Sequence, residues 1–162
     1  MDTNEYESTH ANFVKQLADS QTAVDVMAMW FRLRGDQVHK PEYTVAPTRS
    51  DAPDHADSGD LYVNGERTEI RHQGLDFTCA GDWPYPCFYV ESVHALDKKN
   101  PQPVRYYYVN PPITHAAVLD IEKARSDPNP PGWRKGTFWH KTDRKQANVY
   151  VCNMSAVEWI KL

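Results

Sequence analysis

The chain has 162 residues, 40% of them hydrophobic and 25% charged, with a formal net charge of −4. That length and balance suit one domain with one core, residues 1–162, and argue against a disordered or fibrous chain. No apolar run approaches the roughly 20 residues needed to span a bilayer, and the acidic start Met1-Asp2-Thr3-Asn4-Glu5 is the reverse of a secretory signal, so the expected location is the cytoplasm, with no membrane partner.

A helix is predicted from about Thr9 to Arg34, because Phe13, Leu17, Val24, Met27 and Phe31 recur at helical spacings and form one apolar stripe. Ser8 or Thr9 suits its start and Gly35 its end, with a break expected near Asp19-Ser20, where Ser20 can cap a second helix. Asp36 to Asp57 reads as loop, punctuated by Pro41, Pro47 and Pro53, with Val38 and Tyr43–Val45 as short extended pieces. Strand signals follow at Asp60–Val63 and Glu66–His72, joined by Asn64-Gly65, then at Cys87–Val93 and Val104–Asn110. His115–Ile121 fits strand or helix. After a Pro-rich loop over Ser126–Gly132, Trp133–Trp139 and Ala147–Asn153 suggest a hairpin, and Ser155–Lys161 a closing helix capped by Ser155. The expected fold is α/β or α+β, a mixed sheet flanked by the N-terminal helix and a short C-terminal helix.

Cys79, Cys87 and Cys152 form no CxxC pair, and the seven histidines show no HxxxH or HxH spacing, so neither a disulfide framework nor a zinc site has support. The negative net charge is uneven. Residues 1–60 hold 11 acidic and 5 basic side chains, leaving 11 acidic and 13 basic in the remainder. Lys123 to Lys145 contains seven basic residues against Asp127 and Asp143, together with Trp133, Phe138 and Trp139. A basic, aromatic-bearing stretch can meet phosphates, though a solvated surface segment has the same composition.

The hairpin carries the chemistry. A two-residue Asn64-Gly65 loop sets Val63 opposite Glu66, Tyr62 opposite Arg67, Leu61 opposite Thr68 and Asp60 opposite Glu69. Side-chain alternation then puts Asp60, Tyr62, Arg67, Glu69 and Arg71 on one face, and Leu61, Val63, Thr68, Ile70 and His72 on the other. Two carboxylates directly opposite repel unless a cation offsets them. Mg²⁺ suits one or two carboxylates with waters and phosphate oxygens, and Arg71 on the same face can stabilise charge on a phosphate. Alternatively, Arg71 merely neutralises both acids in a salt-bridge cluster.

The run Asp60-Leu61-Tyr62-Val63-Asn64-Gly65-Glu66-Arg67-Thr68-Glu69-Ile70-Arg71 resembles the Asp…Glu-x-Lys signature of the PD-(D/E)XK nuclease superfamily, which includes restriction endonucleases and junction resolvases. Asp82-Trp83-Pro84-Tyr85-Pro86-Cys87-Phe88-Tyr89-Val90 is similar to a strand of small phage-type endonuclease-like proteins. The resemblance spans about Asp25 to Tyr108. It implies a restriction-endonuclease-like fold and a metal-dependent DNA endonuclease, a hydrolase of phosphodiester bonds, in host cytoplasm if phage-encoded. Asp60 and Glu69 would hold Mg²⁺ or Mn²⁺, with the Ile70 carbonyl as a further ligand and Asp25 as the acid donated by the helix. Arg71 would act on the scissile phosphate, and Arg134, Lys141, Arg144 and Lys145 would hold the DNA backbone. Many members act as dimers, so the resemblance also allows a homodimer, for which the sequence carries no signal of its own.

The sequence departs from the family in one place. Arg71 stands where the signature has Lys, and Arg cannot serve as a general base. Lys98 is the candidate substitute. Two alternatives follow: a catalytically decayed PD-(D/E)XK-fold DNA-binding protein, or a phage interaction module that inhibits a host factor through the acidic first part of the chain.

Overall fold

The computed structural model describes residues 3–42, 59–140 and 145–162; the side chains of residues 3–14, 16, 17, 139, 140 and 145 fall outside that description. The expected Tyr43–Val45 strand lies outside the described residues. The fold is mixed α and β: nine strands in two sheets, one long helix and two short ones among the described residues.

The first helix, α1, runs unbroken from Thr3 to Leu33, so it starts earlier than Thr9 and does not divide at Asp19-Ser20. Its end follows the sequence signal. Gly35 has φ +90, a left-handed value that suits glycine, and the amides of Gly35 and Asp36 bond back to the carbonyls of Arg32 and Phe31. Ala23, Val24, Met27, Ala28 and Phe31 repeat every three or four residues and are all buried. They pack on one face of the large sheet, against Leu61, Val63, Ile70, Tyr107, Val109, Ala116 and Val118.

The large sheet has six strands in the order β1 (Val38–His39), β2 (Leu61–Val63), β3 (Glu66–His72), β5 (Arg105–Val109), β6 (His115–Asp120) and β9 (Val157–Lys161). Every neighbouring pair is antiparallel except β3 and β5, which makes the sheet mixed. Between β3 and β5 the chain leaves to build β4 (Phe88–Ser92) and the short helix α2 (Val93–Lys98). It later forms α3 (Ile121–Arg125) and the hairpin of β7 (Arg134–His140) and β8 (Lys145–Cys152). β4, β8 and β7 form a three-stranded antiparallel sheet. Phe88, Val90 and Cys152 from that sheet share a core with Leu96 of α2 and with Tyr106, Tyr108, Ala117, Leu119 and Val157 of the large sheet. The large sheet is therefore the middle layer, with α1 on one face and the small sheet and α2 on the other.

Two expectations at the C-terminal side resolve differently. His115–Asp120 is a strand, and the chain turns helical only at Ile121. The closing helix over Ser155–Lys161 does not form: Met154–Ala156 is a single 3₁₀ turn, and Val157–Lys161 is β9. The reason is non-local. β6 needs a partner on its free edge, and β9 supplies one across five residue pairs from His115↔Lys161 to Leu119↔Val157. Val157 and Trp159 pack into the core on one side, while Ile160 packs on the α1 side, the period of two that a strand demands.

The Tyr106-Tyr107-Tyr108 run splits the same way. Tyr107 packs with Phe31 of α1, at 5.1 Å between ring centroids, while Tyr106 and Tyr108 face the small sheet. Among the described residues no helix is long and apolar enough to cross a membrane.

Candidate functional site

The β2–β3 hairpin has the register that its turn dictates. Leu61 pairs with Thr68, Tyr62 with Arg67 and Val63 with Glu66, around Asn64 at φ 52 and Gly65 at φ 85. Positive φ at both loop residues is the two-residue turn that Asn-Gly favours. Asp60 stands one residue before β2, level with Glu69 and Ile70. Its carboxylate accepts the Ile70 backbone N–H at 2.8 Å, so it lies along the edge of β3 rather than out in solvent. In an extended strand the N–H and C=O of one residue point to the same edge. The Ile70 carbonyl is thus directed to the Asp60 side as well.

Glu69 points the other way from Ile70, into the space between the two sheets, and is 1% exposed. Three cations meet it. Arg67 donates from Nε at 2.7 Å, Lys99 approaches from Nζ at 3.3 Å, and Arg71 lies at 3.4 Å. A second carboxylate, Glu91 of β4, takes Arg71 at 2.7 Å and the Tyr106 hydroxyl at 2.6 Å, with Lys99 at 3.8 Å. Arg67 also donates to the Pro101 carbonyl, at 3.3 Å. Glu69 and Glu91 thus share Arg71 and Lys99 between them.

Burial opposes the charge on Arg71, but the carboxylates of Glu91, Glu69 and Asp60 outweigh it and raise its pKa, so it stays protonated. Burial and then the Glu91 charge raise the Tyr106 pKa, which keeps the hydroxyl a donor. Arg71 is also the point at which the cluster reaches water, with 35% of its side chain exposed against 0% for Arg67 and 7% for Lys99.

Among the described residues, the other predicted site residues do not join this group. Asp25 is on α1, which packs on the opposite face of the sheet, and it pairs there with Lys40. Lys98, the expected substitute lysine, is exposed; the short helix α2, capped by Ser92, turns Lys99 inward in its place. Arg134 donates to the Gly132 carbonyl in its own strand approach. Lys141 and Arg144 lie outside the described residues, and Lys145 opens β8 with its side chain likewise outside. His72 bonds the Pro111 carbonyl, and Asp97 accepts the Tyr150 hydroxyl.

Glu91, Lys99 and Tyr106 were not singled out by sequence, and Arg67 only as a face-mate of Glu69. The one sequence signal for Lys99 is its adjacency to Lys98. Glu91 has none, since simple alternation from buried Phe88 puts it on the outer face.

Asp60, Glu69 and the Ile70 carbonyl are oxygen donors, the kind of ligand that a hard divalent cation takes. Mg²⁺ ordinarily takes one or two carboxylates and completes its shell with water and phosphate oxygens. Of the three donors, the Glu69 carboxylate is already met by Arg67, Lys99 and Arg71. Among the described residues no group of three or more His, Cys, Asp or Glu is gathered for a metal, so an all-protein zinc or calcium cage is not formed by them. Surface concavities of about 290 Å³ beside Asp127 and about 370 Å³ beside Asp82 lie elsewhere and touch neither Asp60 nor Glu69. No protein-family model matches the chain, and no curated protein and no solved structure matches it either.

Proposed function

We propose that this protein is a metal-dependent DNA endonuclease of the PD-(D/E)XK type, with a restriction-endonuclease-like arrangement around β2 and β3. The observations that support this reading are the Asp60 carboxylate on the Ile70 backbone N–H and, one residue earlier in β3, Glu69 with Arg71 and Lys99 set against it. In this reading Lys99 takes the place of the signature lysine, at whose position Arg71 stands.

Asp60, Glu69 and the Ile70 carbonyl would hold Mg²⁺ or Mn²⁺, which when bound supplies Lewis-acid activation of water and phosphate. Arg71, protonated and partly exposed, meets a phosphodiester that approaches from solvent and stabilises the negative charge that builds there. Lys99 is a compact cation next to the carboxylates and can donate a proton to a departing oxygen. Arg134, Lys141, Arg144 and Lys145 hold the DNA backbone through charge, so affinity falls with salt. Action on DNA in the cytoplasm, as a monomer or homodimer, belongs to the same proposal.

A second reading is favoured by one specific observation. Glu69 is fully buried and already met by three cations, which is also how a decayed site that binds DNA without cutting it would look. Cleavage of supercoiled DNA separates the two. Lys99→Ala is expected to lose metal-dependent nicking while retaining salt-sensitive DNA binding. Full nicking by that variant would remove Lys99 from the mechanism, and DNA binding with no nicking by the wild type would favour the decayed site.

A further inference from the structure

β4 contains an irregularity that side-chain alternation does not require. Its ladder with β8 runs Phe88↔Cys152 and Tyr89↔Val151, passes over Val90, and resumes at Glu91↔Tyr150 and Ser92↔Val149. One extra residue in a strand re-aims the side chains that follow it. Without the bulge, Glu91 would fall on the same face as Tyr89, which packs against the exposed rings of Tyr85 and Phe138. With it, Val90 and Glu91, neighbours in sequence, both turn inward. Val90 enters the apolar core, and the Glu91 side chain is left only 12% exposed.

Turning a carboxylate into a core is unfavourable unless each oxygen is met. Here the two oxygens are divided. Oε1 holds Arg71 Nη2 at 2.7 Å, and Oε2 holds the Tyr106 hydroxyl at 2.6 Å. The same Arg71 nitrogen reaches Glu69 at 3.4 Å, the longer of its two ion pairs, so Glu91 rather than Glu69 determines where the guanidinium sits. Tyr106 in turn stacks beside Tyr108, at 5.7 Å between rings, and Tyr108 bonds the carbonyl of the bulged residue, Val90, at 2.8 Å. The bulge, the carboxylate and the two tyrosines thus form one rigid bracket across the two sheets.

We infer that Glu91 is a positioning residue, delivered by the β4 bulge and anchored by Tyr106, which aims Arg71 at a phosphate held beside Asp60 and Glu69. The inference rests on the nuclease reading for its functional consequence, but the bracket itself has a readout of its own. Glu91→Gln keeps the size of the side chain and an acceptor for one partner, while losing the charge.

The test compares wild type, Glu91→Gln and Tyr106→Phe by Mg²⁺-dependent nicking of supercoiled plasmid and by the ¹⁵N signals of the arginine side chains, with Arg71→Lys used to assign Arg71. Thermal midpoints report any loss of fold. In Glu91→Gln, kcat is expected to fall about tenfold or more with KM nearly unchanged, and the slow rotation of the Arg71 guanidinium is expected to be lost. Tyr106→Phe is expected to lower kcat less, in the same direction. An Arg71 signal as ordered in Glu91→Gln as in wild type would overturn the inference, as would an unchanged kcat in a wild type that cuts. Because the Arg71 signal is read without turnover, a wild type that never cuts would remove the nuclease reading, and the bracket would still stand or fall on that signal.

Discussion

The two faces of β3 carry opposite chemistry. Thr68 and Ile70 turn toward α1, where the packing is apolar: Val24, Met27 and Phe31 against Leu61, Tyr107 and Val109. Arg67, Glu69 and Arg71, the alternate residues of the same strand, turn toward the small sheet and bury an ion cluster. The first face needs no explanation beyond the hydrophobic effect, at about 1.5–3 kcal/mol for each large side chain fully buried. The second does. Ions taken out of water lose hydration that mutual attraction only partly returns, and apolar replacements of a buried pair are often neutral or stabilising. Stability alone therefore does not call for Glu69, Glu91 and Lys99 on that face, and the proposed nuclease site is the reading that gives them a use.

Mutations on each face sharpen the contrast. Arg67→Ala strips a partner from the fully buried Glu69 and is expected to destabilise by about 3–5 kcal/mol in urea unfolding. The paired change Arg67→Met with Glu69→Leu should recover most of that stability while abolishing activity; if the pair were as unstable as the single variant, the cluster would be structural glue. On the α1 face, Met27→Ala is expected to cost about 2–5 kcal/mol without altering metal dependence.

A smaller effect is expected beside the site. Gly59 has φ +93, and a Cβ there would stand 2.9 Å from Arg67 Nε, so Gly59→Ala should cost about 1–3 kcal/mol and disturb the approach to Asp60. The smallest concerns the thiols. Burial, reinforced by nearby Cys87, pushes the Cys152 thiol up to about 12. Alkylation at pH 8 should therefore modify exposed Cys79 and spare Cys152. Since the unfolded thiol ionises near 9.0 and the folded one not until about 12, stability should fall as pH rises through that window.

The features legible in the sequence were those set by local chemistry. Asn64-Gly65 determines the hairpin register, and with it the face shared by Arg67, Glu69 and Arg71, while Asp60, expected opposite Glu69, stands just before β2 with its carboxylate on the Ile70 N–H. Gly35 ends α1 for an equally local reason. What escaped depends on distant partners. Ser155 resembles a helix cap, yet the free edge of β6 draws Val157–Lys161 into a strand. Glu91 belongs to the site because of a bulge against β8, which no pattern in Phe88–Ser92 announces. Lys99 rather than Lys98 faces inward because six residues of α2 set the angle of the turn, and Asp25 is excluded because α1 packs on the other face of the sheet.

The most direct test of the central claim is nicking of supercoiled plasmid by wild type and Asp60→Asn, with Mg²⁺, with Mn²⁺ and with chelator. Asn at position 60 can still accept the Ile70 N–H, so the hairpin edge is retained while the charge is removed. Metal-dependent nicking by wild type that disappears in Asp60→Asn is the predicted result. Equal nicking by both proteins, or none by well-folded wild type with either metal, would contradict it.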